Sequence, residues 1–479
     1  MRTIVRILCL LSLCAALITS APAAPSPRAS LHGPPVVVVG GGLAGLITAF
    51  ELEKRGMTCT VIEAGDRLGG RIATAEYGRG LQAEYGMQEV WQKSPLVGVI
   101  RELGLEVEAS DDPWSSLLID GRLHLFTHST REAYFKALFT PDERAAFDKM
   151  LAELEALYRE ATARGLTAKT QPLQDVSWAD WLTSHHLPAK VEQALRLTIE
   201  VELGAVSEQF SALSALLEWR VFMFGGEKNY HVKGGNSRII EALARRIHGP
   251  RLLNATVVAI KREKPTKGAP SYTVTYHQGR DIRTVRASAV VVAIPWVRLH
   301  GIQFSPPLDE ARWNAISSLG RGQYTVVHFI MSNGVEALWK NARAFPVLSG
   351  GGLGVIYGPH GQSAANGDEI FSLLVYGLEA QAYHMKPRDI KRAETLAELD
   401  KLWPGFSRFV KQTFVYGYHP AAVAYWPPGR SPLDAGSVLL RTPIDGLFLA
   451  GDWLYNSHSE GAAISGLETS KAVARWLRH

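Results

Sequence analysis

The chain has 479 residues, 46% of them hydrophobic and 20% charged, and a formal net charge of +5. That apolar fraction excludes intrinsic disorder and gives enough core for two or more domains at roughly 150 residues each. The positive charge is too small and too dispersed to make an electrostatic case for nucleic acid.

At the N-terminus, Arg2 and Arg6 precede the apolar run from Ile7 to Ile18, and Ser20-Ala21-Pro22-Ala23 offers a small-x-small cleavage site. This is the layout of a secretory signal peptide over 1–23, which predicts an exported, periplasmic or secreted protein. The run is shorter than the ~20 residues of a membrane helix, so no stable membrane span is expected. Leu11-Ser12-Leu13-Cys14 resembles a lipobox, with Leu13 where a small residue belongs, so a lipoprotein or an uncleaved anchor is the alternative. Cleavage would remove Cys9 and Cys14 and leave Cys59 alone. The mature chain would then have no intramolecular disulfide, no cysteine metal site and no dithiol pair, and no metal is expected. Residues 24–34 read as a Pro-rich linker.

Val36-Val37-Val38-Val39 then runs into Gly40-Gly41-Gly42-Leu43-Ala44-Gly45, and Glu63 closes the next apolar run, Thr60-Val61-Ile62. Strand, G-x-G-x-x-G, helix and acidic strand end together form a dinucleotide-binding fingerprint. Gly40 permits the tight turn, Gly42 lets backbone approach a pyrophosphate, and Gly45 lets the helix pack close. The helix N-terminus offers N–H groups to phosphate. Glu63 follows Gly45 by 63 − 45 = 18 positions, near the ~20 usual for a carboxylate that accepts from ribose. A glycine-rich loop follows, Glu63 through Arg71, containing Arg67, Gly69 and Gly70.

From about Thr140 to Glu218 apolar residues recur at three and four, which predicts a helical insertion away from the nucleotide sheet. Strands are expected at Ala255–Ile260, Tyr272–Tyr276 and Ala289–Ile294, the last apolar throughout like a strand buried on both faces of a parallel sheet. Mixed signals run from Tyr324 to about Tyr425. Leu447–Ala450 leads into Gly451-Asp452, and Gly461–Gly466 opens a terminal helix.

Taken in order, four motifs resemble the flavin-dependent amine oxidase family from Val36 to the C-terminus: the first glycine run; Glu63 through Arg71; Ala293-Ile294-Pro295 with Phe304-Ser305-Pro306-Pro307-Leu308; and Gly451-Asp452 with Glu460–Gly466. The resemblance implies an FAD-binding Rossmann-like α/β domain interleaved with an α+β substrate domain of mixed sheet plus helical insertion. The implied order is FAD-binding 35–110, substrate 111–225, FAD-binding 226–298, substrate 299–440 and FAD-binding 441–479.

By that resemblance Glu63 holds the adenosine ribose, and Arg71 with Arg67, Gly69 and Gly70 meets the pyrophosphate. Val257 meets the adenine end. Asp452 accepts from the ribityl or ribose side, and Ala462 and Ala463 present N–H groups to the flavin pyrimidine. A plain surface arginine and a plain helix cap are the alternatives for Arg71 and Asp452. Relatives that tether the flavin use a cysteine before a Tyr-x-Pro-like segment. The matching stretch, Ala421 through Gly429, has none, so FAD is expected to be non-covalent. Where amine oxidases of the family commonly place a lysine near flavin N5, this chain has Gly301, with Arg298 and His300 beside it and expected to face solvent.

The same resemblance places Tyr85 through Trp91 beside the flavin, including Gly86 and Met87, and makes Glu89 a partner for a substrate cation or else a salt-bridged carboxylate. Glu202-Leu203-Gly204 matches a cavity-lining stretch, though Leu203 also suits ordinary core. His458 falls near a position where relatives carry an aromatic residue facing the flavin, as an acid or base or as a structural histidine. Trp426 and Tyr425 stack on the ring or fill core. The implied activity is amine oxidation by hydride transfer to flavin N5, with oxygen or another acceptor. The alternatives are an FAD-dependent desaturase or isomerase of carbon–carbon bonds, which the missing lysine favours, and a non-catalytic flavin-binding protein. The implied partner is a small-molecule amine.

Overall fold

Consecutive valines can be buried on both faces of a strand only between two layers, and the computed structural model places them there. It describes residues 35–478 apart from 110–114, 127–129, 224–227, 265–270, 339–344, 359–363, 365 and 418. The expected leader and linker, 1–34, lie outside the described residues.

Pro35–Val39 is the middle strand of a five-stranded parallel sheet, with Thr58–Ile62 and Arg251–Leu252 on one side and Ala289–Val292 and Leu447–Leu449 on the other. Side chains alternate across it. Val36, Val38, Ala289 and Val291 enter one core cluster, while Val37, Val39, Val290 and Val292 enter another. The first cluster belongs to helices Leu43–Glu53, Pro95–Glu102, Ser237–Arg246 and Ser459–Trp476. The second belongs to a smaller sheet in which Ala255–Glu263, Ser271–Gln278 and Asp281–Ala287 run antiparallel and Gln303–Ser305 pairs in parallel. The four valines of the central strand are at most 3% exposed, and each such burial contributes about 1.5–3 kcal/mol relative to exposure. The all-apolar strand expected to end at Ile294 stops at Val292.

The second body is a mixed sheet built on the twelve-residue strand Gly320–Met331. Glu369–Tyr376 pairs along one edge, and Val410–Val415 and His419–Tyr425 share the other, all antiparallel. One face carries Val327, Phe329, Phe371 and Leu373 into a core under helices Gly377–Met385 and Arg388–Leu402. The opposite face presents Tyr324, Val355, Tyr357 and Val423 to a helical layer. That layer is the predicted helical stretch, resolved into Pro141–Arg164, Gln171–Asp175, Trp178–Ser184, Ala189–Leu203 and Ala212–Met223. Its first helix is opened by a reciprocal cap between Thr140 and Glu143. The layer stands off the nucleotide sheet, as the sequence suggests, but its helix ends reach the cavity between the two bodies.

Candidate active site

The turn from Val39 into the first helix sets one end of that cavity. Gly40 sits at φ +105°, and a Cβ on Gly45 would lie 2.1 Å from the Gly40 carbonyl oxygen, so strand and helix meet only if both are glycine. Gly42 is the N-cap and has no side-chain cap of its own. Its N–H-rich helix start faces the cavity, where a Cβ on Gly42 would meet nothing within 4 Å. The second glycine loop docks on the first: Gly69 N donates to Gly41 O at 2.8 Å, and Gly70 lies across from Gly42. Arg67 binds this loop together through the carbonyls of Leu68, Gly70 and Ile72 at 2.8–3.2 Å. Glu63 accepts from Gly41 N and Gly65 N, each at 2.7 Å.

The cavity so begun has a volume of about 840 Å³, within the ~300–1,000 Å³ range of ligand sites. It runs from Glu63, Thr256 and Val257 past Gly40, Gly42, Leu43 and Ala44, and past Gly451, Asp452 and Ala462, to Gly86, Met87, Glu89 and His458. An elongated groove with two facing glycine loops and two helix N-termini fits a dinucleotide with a ring system at its far end. Arg71 and Asp452, expected as separate cofactor contacts, are paired with each other. Arg71 Nη1 donates to Asp452 Oδ2 at 2.8 Å and Nη2 to Oδ1 at 2.5 Å, and Nη1 also donates to Ala422 O. Burial alone disfavours the guanidinium charge, but Asp452 outweighs it and raises the Arg71 pKa. The pair ties the second glycine loop to the Gly451-Asp452 turn.

Beyond the loops the cavity becomes a chamber with apolar walls, Val201, Val326, Val355, Leu374 and Val423, together with Tyr324 and Tyr357. Val326 and Tyr324 share a face of one strand, as do Val355 and Tyr357 of another, by the two-residue period. Its polar end is Glu89, Glu202 and His458. Glu202 comes from the last turn of helix Ala189–Leu203, which stops at Gly204 in the left-handed conformation. Tyr324 Oη donates to the carbonyls of Val201 and Glu202 at 2.8 and 2.7 Å, fixing that helix end. Asn229 Nδ2 donates to Glu89 Oε2 at 3.0 Å.

His458 precedes the C-terminal helix, and its Nε2 lies 3.1 Å from Glu218 Oε2 and 3.9 Å from Glu202 Oε2. The closer approach is an ion pair poorly aligned for a hydrogen bond. Burial disfavours the imidazolium, but Glu218, then Glu202 and more distant Asp452, outweigh it and hold its pKa at about 9. Burial pushes Glu202 up to about 7, with Glu218 raising it further and His458 opposing. Burial and then Glu202 push Glu89 up to about 8. His458 is therefore a cation in the cavity wall at neutral pH. The sequence allows an acid or a base there, and the structure removes the neutral-pH base.

Several expected positions fall elsewhere. Leu203 is fully buried in the helical-layer core, one residue and about 100° of helix turn from Glu202. Gly204 is held against strand Gly320–Met331, where a Cβ would lie 2.8 Å from Gln323 N. Trp426 is 1% exposed and donates through Nε1 to Ser437 Oγ at 2.9 Å. None of the three lines the cavity, so their assignment as substrate contacts is corrected to packing. Gly45 acts by close packing, and Ala463 is buried behind Ala462. Arg298 and Gly301 line the cavity rim, both exposed, while His300 stacks on Trp313 with ring centroids 4.4 Å apart. Sequence reasoning named Glu202 within a cavity-lining stretch but placed the contacts at Leu203 and Gly204, and it missed Glu218, Tyr324 and Tyr357. The one available signal was Glu218, a carboxylate among Leu213, Ala215, Leu216 and Trp219 on a buried helix.

The cysteine present among the described residues, Cys59, is buried in the parallel sheet away from the cavity. No metal-binding cluster occurs among the described residues, nor does any helix long and apolar enough to cross a membrane.

Residues 43–474 match the family model of flavin containing amine oxidoreductases. The chain is 28% identical over 340 residues to putrescine oxidase of Kocuria rosea, covering 67% of each chain. It is 25% identical over 305 residues to nicotine dehydrogenase of Pseudomonas putida, covering 61% of this chain and 60% of that one. The relatives it matches first are spanned over about six tenths of their length. In fold it resembles cyclohexylamine oxidase from Brevibacterium oxydans, with a TM-score of 0.76 and 20% identity over 93% of this chain and 100% of that one. The chain therefore belongs to the flavin-containing amine oxidoreductases, a family of FAD-dependent enzymes, and its cofactor is non-covalently held FAD.

Proposed function

We propose that this chain oxidises a small-molecule amine to an imine that then hydrolyses. Bound FAD supplies the acceptor for a hydride from the carbon beside nitrogen, and oxygen or another acceptor takes the electrons onward. The protein's part is to bind, orient and dehydrate. Arg71 and Asp452 join the two loops that would hold the cofactor, the valine and leucine walls exclude water, and Glu89 and Glu202 give the chamber a carboxylate end for a cationic nitrogen. The observation that carries the reading is this apolar chamber with buried carboxylates, continuous with the dinucleotide groove. The named activities of putrescine oxidase and cyclohexylamine oxidase support it as analogies.

A second reading, desaturation or isomerisation of an apolar substrate, draws on Gly301, at the rim of a cavity that has no lysine among its described lining residues. Two buried carboxylates suit such a substrate poorly, because nothing in it would offset their desolvation. Product analysis separates the two. Turnover of an amine panel with an artificial acceptor gives a carbonyl compound and the released amine or ammonia in equal amounts if the reading holds. A polyene product with no carbonyl from any amine would overturn it.

A further inference from the structure

An amine must lose a proton before its nitrogen lone pair can assist departure of a hydride, and a primary amine resembling a lysine side chain has a pKa near ~10.4. At neutral pH it arrives as an ammonium ion, so the chamber needs a proton acceptor. Three carboxylates are near: Glu89 and Glu202 line the cavity, and Glu218, 8% exposed at its side chain, stands behind His458. The groups facing Glu202 and His458 are these carboxylates, Asp452 with its partner Arg71, and the phenols of Tyr324 and Tyr357.

The geometry points to Glu202 as the group that takes the proton from the substrate ammonium, with Glu218 as a positioning residue that acts through His458. The inference rests on the amine reading above. In the step, the substrate N–H bond breaks, its electron pair stays on nitrogen, and the proton forms an O–H bond with the Glu202 carboxylate. The amine is left neutral and the glutamic acid neutral. His458 stands 3.9 Å from Glu202 Oε2 and 3.1 Å from Glu218 Oε2 through the same nitrogen. It is therefore not a wire that passes a proton between them. It is a fixed cation that keeps Glu202 ionised against burial, and Glu218 keeps that cation charged. Glu89 is less suited: its Oε2 already accepts from Asn229 Nδ2 at 3.0 Å, whereas Glu202 faces the His458 ring.

The test is anaerobic reduction of the holoenzyme by benzylamine and putrescine across pH 5.5–10, paired with ¹H–¹³C spectra that follow the His458 ring. Wild type should show an acid limb in the second-order reduction rate near pH 7 and a His458 titration near 9. Glu202→Gln should retain FAD and the folded spectrum but lose the acceptor. Its rate should then follow the free-amine fraction alone, falling tenfold per pH unit below the amine's own pKa with no separate limb near pH 7. Glu202→Asp should recover part of that rate. Glu218→Gln, with the cavity lining intact, should lower the His458 titration, and His458→Gln, which removes the cation that lowers Glu202, should move the acid limb upward. A Glu202→Gln enzyme with unchanged rate and pH profile would overturn the assignment while leaving amine oxidation standing. An unmoved His458 titration in Glu218→Gln, or an unmoved acid limb in His458→Gln, would overturn the role of Glu218 through His458. Absence of reduction by any amine at any pH would overturn the parent reading as well.

Discussion

Glu63→Ala is the substitution that asks most of the nucleotide end. The Glu63 carboxylate accepts two backbone N–H bonds at 2.7 Å, from Gly41 in the first glycine loop and Gly65 at the start of the second. Hydrogen bonds to a charged group contribute about 1.5–3 kcal/mol each, so the two sum to about 3–6 kcal/mol. Water entering the half-buried loop replaces roughly half of this, leaving about 1.5–3 kcal/mol of lost stability in the apoprotein. Loss of a bond to the ribose would weaken FAD by a further ~1.5–3 kcal/mol, or about 10- to 150-fold in Kd. Apoprotein prepared by acid release of the flavin gives both quantities, the first from urea denaturation and the second from a fluorescence titration with FAD. Glu63→Gln retains one acceptor oxygen and should fall between. An unchanged denaturation midpoint together with unchanged FAD affinity would refute the reasoning.

Gly45→Ala places a Cβ 2.1 Å from the Gly40 carbonyl oxygen, an overpacking that costs ~1–3 kcal/mol; the purified variant should be pale, with a lowered ratio of flavin to protein absorbance. Gly301→Lys should fold normally, since nothing lies within 4 Å of its Cβ position. A positive charge at the cavity rim contributing ~2 kcal/mol should speed flavin reoxidation by oxygen about thirtyfold in stopped flow, leaving reduction by substrate unaltered. Export with cleavage near Ala23 is proposed from Arg2, Arg6 and the Ile7 to Ile18 run; N-terminal sequencing of protein from its native host should find a mature chain starting after that site, and Met1 at the terminus would remove the argument.

The nucleotide half was legible because its signals are local. A parallel strand buried on both faces must be apolar along its whole length, and Gly40 and Gly45 have no room for a side chain, so Val36–Val39, Ala289–Val292 and the glycine loops announce themselves. The chamber was legible only in outline. Glu202, Glu218, Tyr324, Tyr357 and His458 converge from two helix ends, the middle of a third helix and two strands far apart in the chain, and nothing local marks which side of a helix faces a cavity. Leu203 and Glu202 show the difficulty: adjacent in sequence, one is core and the other lines the site. Trp426 was misplaced for a related reason, since an indole needs only one buried acceptor to be satisfied and Ser437 provides it. The pairing of Arg71 with Asp452 joins residues 381 positions apart and leaves no trace in either motif.

The central claim is that the chamber exists to oxidise an amine. Its most direct test is anaerobic mixing of purified, FAD-loaded protein with separate amines, amino acids and apolar polyenes, following loss of the yellow flavin absorbance. The account predicts that at least one amine bleaches the flavin fully and stoichiometrically while polyenes leave it oxidised. Bleaching by a polyene alone, with every amine inert between pH 6 and 10, would contradict it.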